Sequence, residues 1–304
     1  MRNPSYNIED YSAIKTISGY FGEEKKQNGT ITQVTNGAIH NYCHYESNSG
    51  DGKCSDYFQM TSSGVIHLLE NLKKYGLDDD KLADYAILWL SYKLKLKENN
   101  TVKKLSDFYN SYIGKNNDYN NKINGNDGPT YKEIIDKKKD LMDMNISEIF
   151  KLEAPFNILY FLYHEIYDKN SFCKEYSNYA NQFVQKFGDL NNDSNNIQDS
   201  SFSQILSTLL NDHNNLINKY CKESCSFSSI SQLTPKKKPV ESSEQPTLLN
   251  PEGTPSSSSI LNTVIPVLST FSVISLFLGI AYKYSLFGFG KRSQKRYLRE
   301  NIKK

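Results

Sequence analysis

Residues 260 to 282 read ILNTVIPVLSTFSVISLFLGIAY, a run of 23 residues without a charge. This is far longer than a core strand. At about 1.5 Å of rise per residue it reaches roughly 34 Å as a helix, enough for a hydrocarbon layer of about 30 Å with some tilt. Val264, Ile265, Val267, Leu268, Phe271, Val273, Ile274, Leu276, Phe277, Leu278 and Ile280 supply the transfer free energy, and the Ser and Thr hydroxyls return their hydrogen bonds to the helix backbone. Pro266 falls near the first turn, where a missing N–H costs least. The stretch is read as a membrane span, in preference to a buried helix of a soluble protein.

Charge on either side sets the orientation. Residues 283 to 304 hold eight basic residues (Lys283, Lys291, Arg292, Lys295, Arg296, Arg299, Lys303 and Lys304) against one acid, Glu300. Subtracting this +7 from the whole-chain +2 leaves −5 for residues 1 to 259, since the span is uncharged. Lys and Arg close to a span stay cytoplasmic and are drawn to anionic lipid, so the tail is expected in the cytosol and the N-terminal part on the other side. A lipid-anchor signal would end in its apolar stretch, and this one continues into a basic tail. Residues 1 to 10 show no apolar segment after Arg2, so no cleavable secretory signal is expected and the span itself would target the chain. A tail-anchored protein with its bulk in the cytosol shares that feature. The charge asymmetry and the cysteines argue against it.

All five cysteines, Cys43, Cys54, Cys173, Cys221 and Cys225, lie on the proposed outer side, which suits an oxidising compartment and makes each a disulfide candidate. The odd count leaves at least one thiol free or intermolecular, and spacing does not reveal the pairing. A bridge between Cys43 and Cys54 would close a short surface loop, cheap in chain entropy and correspondingly little stabilising. Zinc competes poorly, because Cys221-x3-Cys225 has no second pair, and the cluster of His40, Cys43 and His44 falls in a polar loop.

Going back along the chain, Ile8, Tyr11, Ile14 and Ile17 predict a short amphipathic helix within residues 5 to 20. The Gly, Asn, Ser and Asp content from Gly22 to Thr61 predicts loops and turns. Val65, Leu68, Leu69 and Leu72 mark a helix ending near Gly76; Leu82, Tyr85, Ala86, Trp89, Leu90 and Leu94 mark another, opened by the acidic run 78 to 80 and carrying the only tryptophan. Leu105, Phe108, Tyr109 and Tyr112 continue as a third helix. From Tyr131 to Met144 an apolar side is set against Lys137, Lys138 and Lys139, read as a solvated face. Pro155 is expected to open the next helix, with Ile158, Leu159, Leu162 and Ile166 as its stripe. Phe172, Tyr176, Tyr179, Phe183 and Phe187 form an aromatic helical face, and Phe202, Ile205, Leu206, Leu209, Leu210, Leu216, Ile217 and Tyr220 the last helix.

Residues 226 to 259 contain five of the nine prolines and ten serines, a disordered stalk reaching on the order of 32 Å as a flexible coil. The expected architecture is therefore mainly α: a helical, disulfide-bonded ectodomain at 1 to 225, the linker at 226 to 259, one transmembrane helix at 260 to 282 and a short basic cytoplasmic tail at 283 to 304.

Catalytic signatures are missing: there is no nucleophile elbow, no phosphate-binding loop and no dinucleotide fingerprint. His164-Glu165 starts like a zinc-protease helix but Asp168 stands where the second histidine is required. Triplets for N-glycosylation at Asn28, Asn99, Asn145 and Asn192 occur about as often as chance predicts in so Asn- and Ser-rich a chain. No enzyme activity, cofactor, metal or nucleic-acid partner is expected, and the bilayer is the one partner the residues themselves indicate.

Several segments resemble the Plasmodium interspersed repeat family of malaria variant antigens, in its rodent-parasite branch. They are Ala86-Ile-Leu-Trp-Leu-Ser-Tyr-Lys-Leu94, Leu105-Ser-Asp-Phe-Tyr-Asn-Ser-Tyr-Ile113, Asn181-Gln-Phe-Val-Gln-Lys-Phe187, Ser203-Gln-Ile-Leu-Ser-Thr-Leu209 and the run from Ile265 to Gly290. The resemblance implies a parasite protein displayed on or exported to the infected red cell, acting in antigenic variation, immune evasion or adhesion to host cell-surface or immune proteins, and no catalysis. A structural or trafficking component of parasite-modified membranes is the alternative. The family pattern places cysteines near the N-terminus, at the position of Val65 and near Tyr160, and this chain lacks all three. The partner of Cys173 is left open between Cys221, Cys225 and none.

Overall fold

The computed structural model describes residues 6–25, 28–46, 52–165, 172–220, 228 and 230–238. Its N-terminal compact unit, residues 1–239, holds all of them. The expected span, the basic tail and most of the expected linker lie outside the described residues. Among the described residues no helix is long and apolar enough to cross a membrane.

Two helices form the centre. Helix α2 (Tyr57–Lys73) begins where the Asp56 carboxylate accepts the Gln59 N–H at 2.8 Å, and stops before Gly76, whose φ of +72° no side-chain-bearing residue adopts easily. Helix α3 (Asp79–Leu96) is capped in the same way by Asp78, with Asp79 and Asp80 in its first turn and Lys93 and Lys95 in its last, each matching the helix dipole. Both are buried on nearly all sides: Thr61 to Leu69 form an unbroken buried run in α2 and Leu82 to Ser91 another in α3. They pack through a close approach at Gly64. A Cβ there would lie 3.1 Å from Cζ3 and 3.3 Å from Cζ2 of Trp89, and closer still to Cη2, so only glycine lets the fully buried indole seat on α2.

Around this pair stand α1 (Tyr6–Ser18) against α2, α6 (Ile146–Glu165) against α3, and the hairpin of α7 (Phe172–Asn191) and α8 (Ser201–Tyr220) against α6. Ile14, Ile17, Leu159, Leu162, Phe183, Phe187, Phe202, Ile205, Leu206 and Leu209 are all fully buried, so the stripes read from the sequence in α1, α6, α7 and α8 are the faces that close the core.

Four departures from the sequence reading have physical causes. First, the supposed loop from Gly22 to Thr61 contains an antiparallel hairpin, β1 (Phe21–Lys25) and β2 (Ile31–Thr35), and the first residues of α2. Its strands are polar because β2 is almost wholly solvent-facing; Phe21 supplies the anchor at 3% exposure. Second, α6 runs through Pro155 and starts nine residues earlier, at Ile146. The ring removes one bond to the Lys151 carbonyl, and that loss is outweighed by Ile149, Leu152, Phe156 and Leu159, all at 0% exposure.

Third, the segments expected as continuous helices at 105 to 112 and 131 to 144 are broken. Helix α4 (Leu105–Phe108) widens into a π turn over Tyr109–Ile113, and α5 (Tyr131–Asp136) gives way to a 3-10 turn at Lys139–Leu141. The helix ends at Ile113, and the Tyr112 carbonyl of its last turn accepts from the hydroxyls of Tyr45 at 2.9 Å and Ser62 at 3.2 Å. Fourth, part of the expected linker, residues 228 and 230–238, is hydrogen-bonded to the body, with Ile230 and Leu233 packed on the core.

Candidate functional site

The densest polar chemistry lies inside the helix assembly. Lys138, expected on a solvated face, is completely buried: its ammonium contacts Asp84 Oδ1 of α3 at 2.7 Å and donates to Gln204 Oε1 of α8 at 2.7 Å. The break after α5 turns it inward. Asp84 Oδ2 accepts from the Thr208 hydroxyl at 2.5 Å, and Lys81 Nζ donates to the Thr208 oxygen at 2.6 Å. Burial raises the Asp84 pKa, and the neighbouring Lys138 ammonium opposes that rise.

One turn further along α8, Asp212 Oδ2 accepts from Tyr85 at 2.8 Å and Tyr11 at 3.1 Å, while its backbone carbonyl accepts from Tyr163 at 2.7 Å. Tyr11 stacks on Tyr163 with ring centroids 4.3 Å apart. Helices α1, α3, α6 and α8 thus meet on one residue. Desolvation lifts the Asp212 carboxyl to about 6. At the other end of α3, Lys93 reaches the Phe21 carbonyl at 2.8 Å and lies 3.7 Å from the Phe21 ring centroid, and burial lowers its pKa to about 7. Lys97, just past the end of α3, pairs with Glu23 at 2.7 Å, so two lysines hold the hairpin.

These groups join helices to one another and the hairpin to α3. An open cleft of about 290 Å³, small for a ligand pocket, is lined by Glu70, Lys73, Lys74, Ile123 and Asn124. Its charges are largely taken: Glu70 accepts from Tyr42 and Tyr131, each at 2.7 Å, and Lys73 pairs with Asp79 at 3.0 Å. Among the described residues no group of three or more His, Cys, Asp and Glu side chains is placed to hold a metal ion. Large apolar side chains face solvent at Ile31 and Val34 of β2, 36% and 47% exposed, and at Leu96.

Of the cysteines, Cys43 and Cys54 form a disulfide with Cα atoms 5.1 Å apart. Both are buried, at 0% and 9% exposure, so the bridge lies in the core rather than on a surface loop. It ties the 3-10 turn Gly37–Tyr42 to the start of α2, where Ser63 donates to the Ile39 carbonyl and His67 Nε2 lies 2.8 Å from that of Ala38. His40 Nδ1 accepts from the Cys54 N–H at 3.1 Å, and His44 Nδ1 contacts Asp118 at 2.8 Å, so the two histidines have separate structural partners. Cys173 falls within α7 but its side chain, like Cys221, Cys225 and the basic residues Lys283, Lys291, Arg292, Lys295, Arg296 and Arg299, lies outside the described residues. Sequence reading missed Asp84, Lys93 and Asp212. Asp84 and Lys93 interrupt the apolar stripe of α3, a visible signal, whereas Asp212 lies in the polar run Asn211-Asp212-His213-Asn214-Asn215 and has no such mark.

A sequence model of the family described as Plasmodium variant antigen protein Cir/Yir/Bir matches residues 11–283. Among solved structures, a Plasmodium PIR protein ectodomain superposes with a TM-score of 0.52 at 30% identity, covering 75% of this chain and 99% of that one. No curated protein matches. With nearly its whole length inside the family match and its helical body similar to a solved member's ectodomain, the chain belongs to the Plasmodium Cir/Yir/Bir variant antigen family.

Proposed function

We propose that this chain is a membrane-anchored variant antigen whose helical body is displayed by the parasite or its infected red cell, serving immune evasion or host adhesion rather than catalysis. The family match over residues 11–283 is the observation that carries this reading. The inward polar groups add to it: Asp84, Lys138 and Asp212 are consumed in holding helices together. What faces outward includes most of β2 and one side each of α1, α7 and α8. The uncharged run 260 to 282 and the basic tail beyond it supply the anchor and its orientation, with the tail cytosolic.

Protease shaving of intact infected cells, followed by blotting with an antibody to the helical body, tests the display. Cleavage alongside control surface proteins is expected. Protection of the body while those controls are cut would favour a component of internal parasite-modified membranes. Extraction by alkaline carbonate would remove the anchor from the proposal.

A further inference from the structure

Asn191, at the last turn of α7, uses its side-chain amide as if it were one more peptide unit. Its Nδ2 donates to the Gln232 carbonyl at 2.9 Å, and its Oδ1 accepts the Thr234 N–H at 2.8 Å. Both ends of the amide therefore meet main chain two residues apart, a pairing that recognises an extended backbone whatever side chains it carries. Asn196, fully buried, steadies this by donating to the Asn191 carbonyl at 2.9 Å.

The recognition continues on both sides. Upstream, Asn181 Oδ1 accepts the Ser228 N–H at 3.1 Å. Downstream, Lys236 N–H donates to the Asn196 carbonyl and the Lys236 carbonyl accepts from Gln198 N–H, both at 2.8 Å, a short parallel bridge to Ile197. The Lys236 ammonium adds a contact to the Asn192 carbonyl at 3.1 Å, at the negative end of the α7 dipole. Asn181 to Asn191 is about 15 Å along a helix, and Ser228 to Thr234 about 20 Å of extended chain, so the segment runs along α7 in the helix direction. Ile230 and Leu233 pack on the core beneath it.

Consequently the chain, having left α8 at Tyr220, is brought back to the turn that precedes Ser201. We propose that the α7 surface from Asn181 to Asn191, with the 196–198 edge, is a main-chain-reading clamp. Its occupant is the segment 228–238 of this chain, held as a releasable latch that sets where the tether leaves the folded body. The structural part stands alone; its meaning for a displayed antigen rests on the anchored reading above. Latched, the tether is held as far as Lys236. Released, it gains about 11 residues and up to about 40 Å of reach, and α7 offers an empty clamp to another extended peptide.

Hydrogen exchange on the purified full chain in detergent micelles tests the latch independently of its membrane orientation. In the wild type, the Gln198, Thr234 and Lys236 amides should exchange at least tenfold more slowly than those of residues 240–259. Lys236→Pro deletes one clamp N–H on the strap side, and Asn191→Leu deletes the amide on the helix side. Both should abolish that protection at residues 228–238 and at Gln198 while α3 and α6 stay protected. Wild-type strap amides exchanging as fast as residues 240–259 would overturn the clamp. Loss of protection in α3 and α6 along with the strap, in both variants, would overturn releasability by making the segment an integral part of the core.

Discussion

Replacing Lys138 by Met tests the buried network most sharply, because the change keeps length and apolar volume and removes one charge. In the native protein the ammonium is completely buried between Asp84 and Gln204, and Asp84 itself is 3% exposed. Without Lys138, the Asp84 carboxylate keeps only the Thr208 hydroxyl in direct contact, with Lys81 one bond further away. Its escape is to take up a proton. Starting from an ordinary Asp value near 3.9, neutralisation costs about 1.36 kcal/mol for each pH unit above it, so roughly 4 kcal/mol at pH 7 and roughly 1.5 kcal/mol at pH 5. Those figures cap the loss, and the pH 7 figure agrees with the ~3–5 kcal/mol typical of breaking a buried pair from one side. Urea unfolding followed by the fluorescence of Trp89, the single tryptophan and fully buried, reads the change directly. The expected result is a loss of about 3–4 kcal/mol at pH 7 that shrinks to about 1–2 kcal/mol at pH 5. The double variant with Asp84→Leu should recover at least about 2 kcal/mol of the pH 7 loss, since no charge is then stranded. A single variant within about 1 kcal/mol of the native protein at pH 7, or one equally damaged at both pH values, would refute the assignment of this pair as a buried charge contact.

Other outcomes follow from the same structure. Gly64→Ala should destabilise by about 1–3 kcal/mol through contact with the Trp89 ring, although the same change at an exposed helix site would gain about 1 kcal/mol; a rise in melting temperature would contradict the packing. Converting both Cys43 and Cys54 to Ser reopens a loop with a sequence separation of 11 and should cost about 3 kcal/mol in the chain-entropy estimate, measured as the shift in urea midpoint; an unchanged midpoint would show that the bridge adds nothing. Asp212 titrates near 6 when folded and near 3.9 when unfolded, so the folded state holds the extra proton between those values and stability should fall as pH rises from about 4 to 6. Asp212→Asn should flatten that slope, and an unaltered slope would exclude the residue as its source. Lys93 has the opposite sign. Its folded value near 7 lies below the ordinary 10.5, so its contribution grows from pH 7 to about 10.5, and Lys93→Met should remove that rise.

The helices were legible where burial is one-sided. The stripes of α1, α7 and α8 have the right period because each helix shows one face to the core and one to solvent. Helices α2 and α3 were legible by the same kind of stripe, helped in α3 by the acidic run at its start, although both prove buried nearly all round; the first turn of α2, capped by Asp56, falls in the stretch whose composition reads as loop. The hairpin escaped notice because a strand that buries little needs no alternation: Phe21 is its one deeply buried anchor, and Lys93 and Lys97 hold it from outside its own sequence. Local rules also misplaced the start of α6: a proline reads as a first-turn residue, yet four fully buried side chains on one face carry the helix past it.

The partners of Asp84 and Asp212 were illegible for a related reason that bears on function. A lysine in a run of three looks solvated, and nothing local distinguishes Lys138 from Lys137 and Lys139. Only the break after Asp136, which depends on where α3 and α8 already stand, sends it inward. Asp84 and Thr208 are 124 residues apart, as are partners that no short motif can join. The fold is thereby specified by distant buried pairs plus a tight Gly64–Trp89 contact, and the exposed β2 carries little of that burden. Surface substitutions away from such features change stability by about 0.5 kcal/mol or less. A body built this way can alter the exposed residues of β2 while keeping one core, because Phe21 and the Cys43–Cys54 bridge hold the adjoining chain from within.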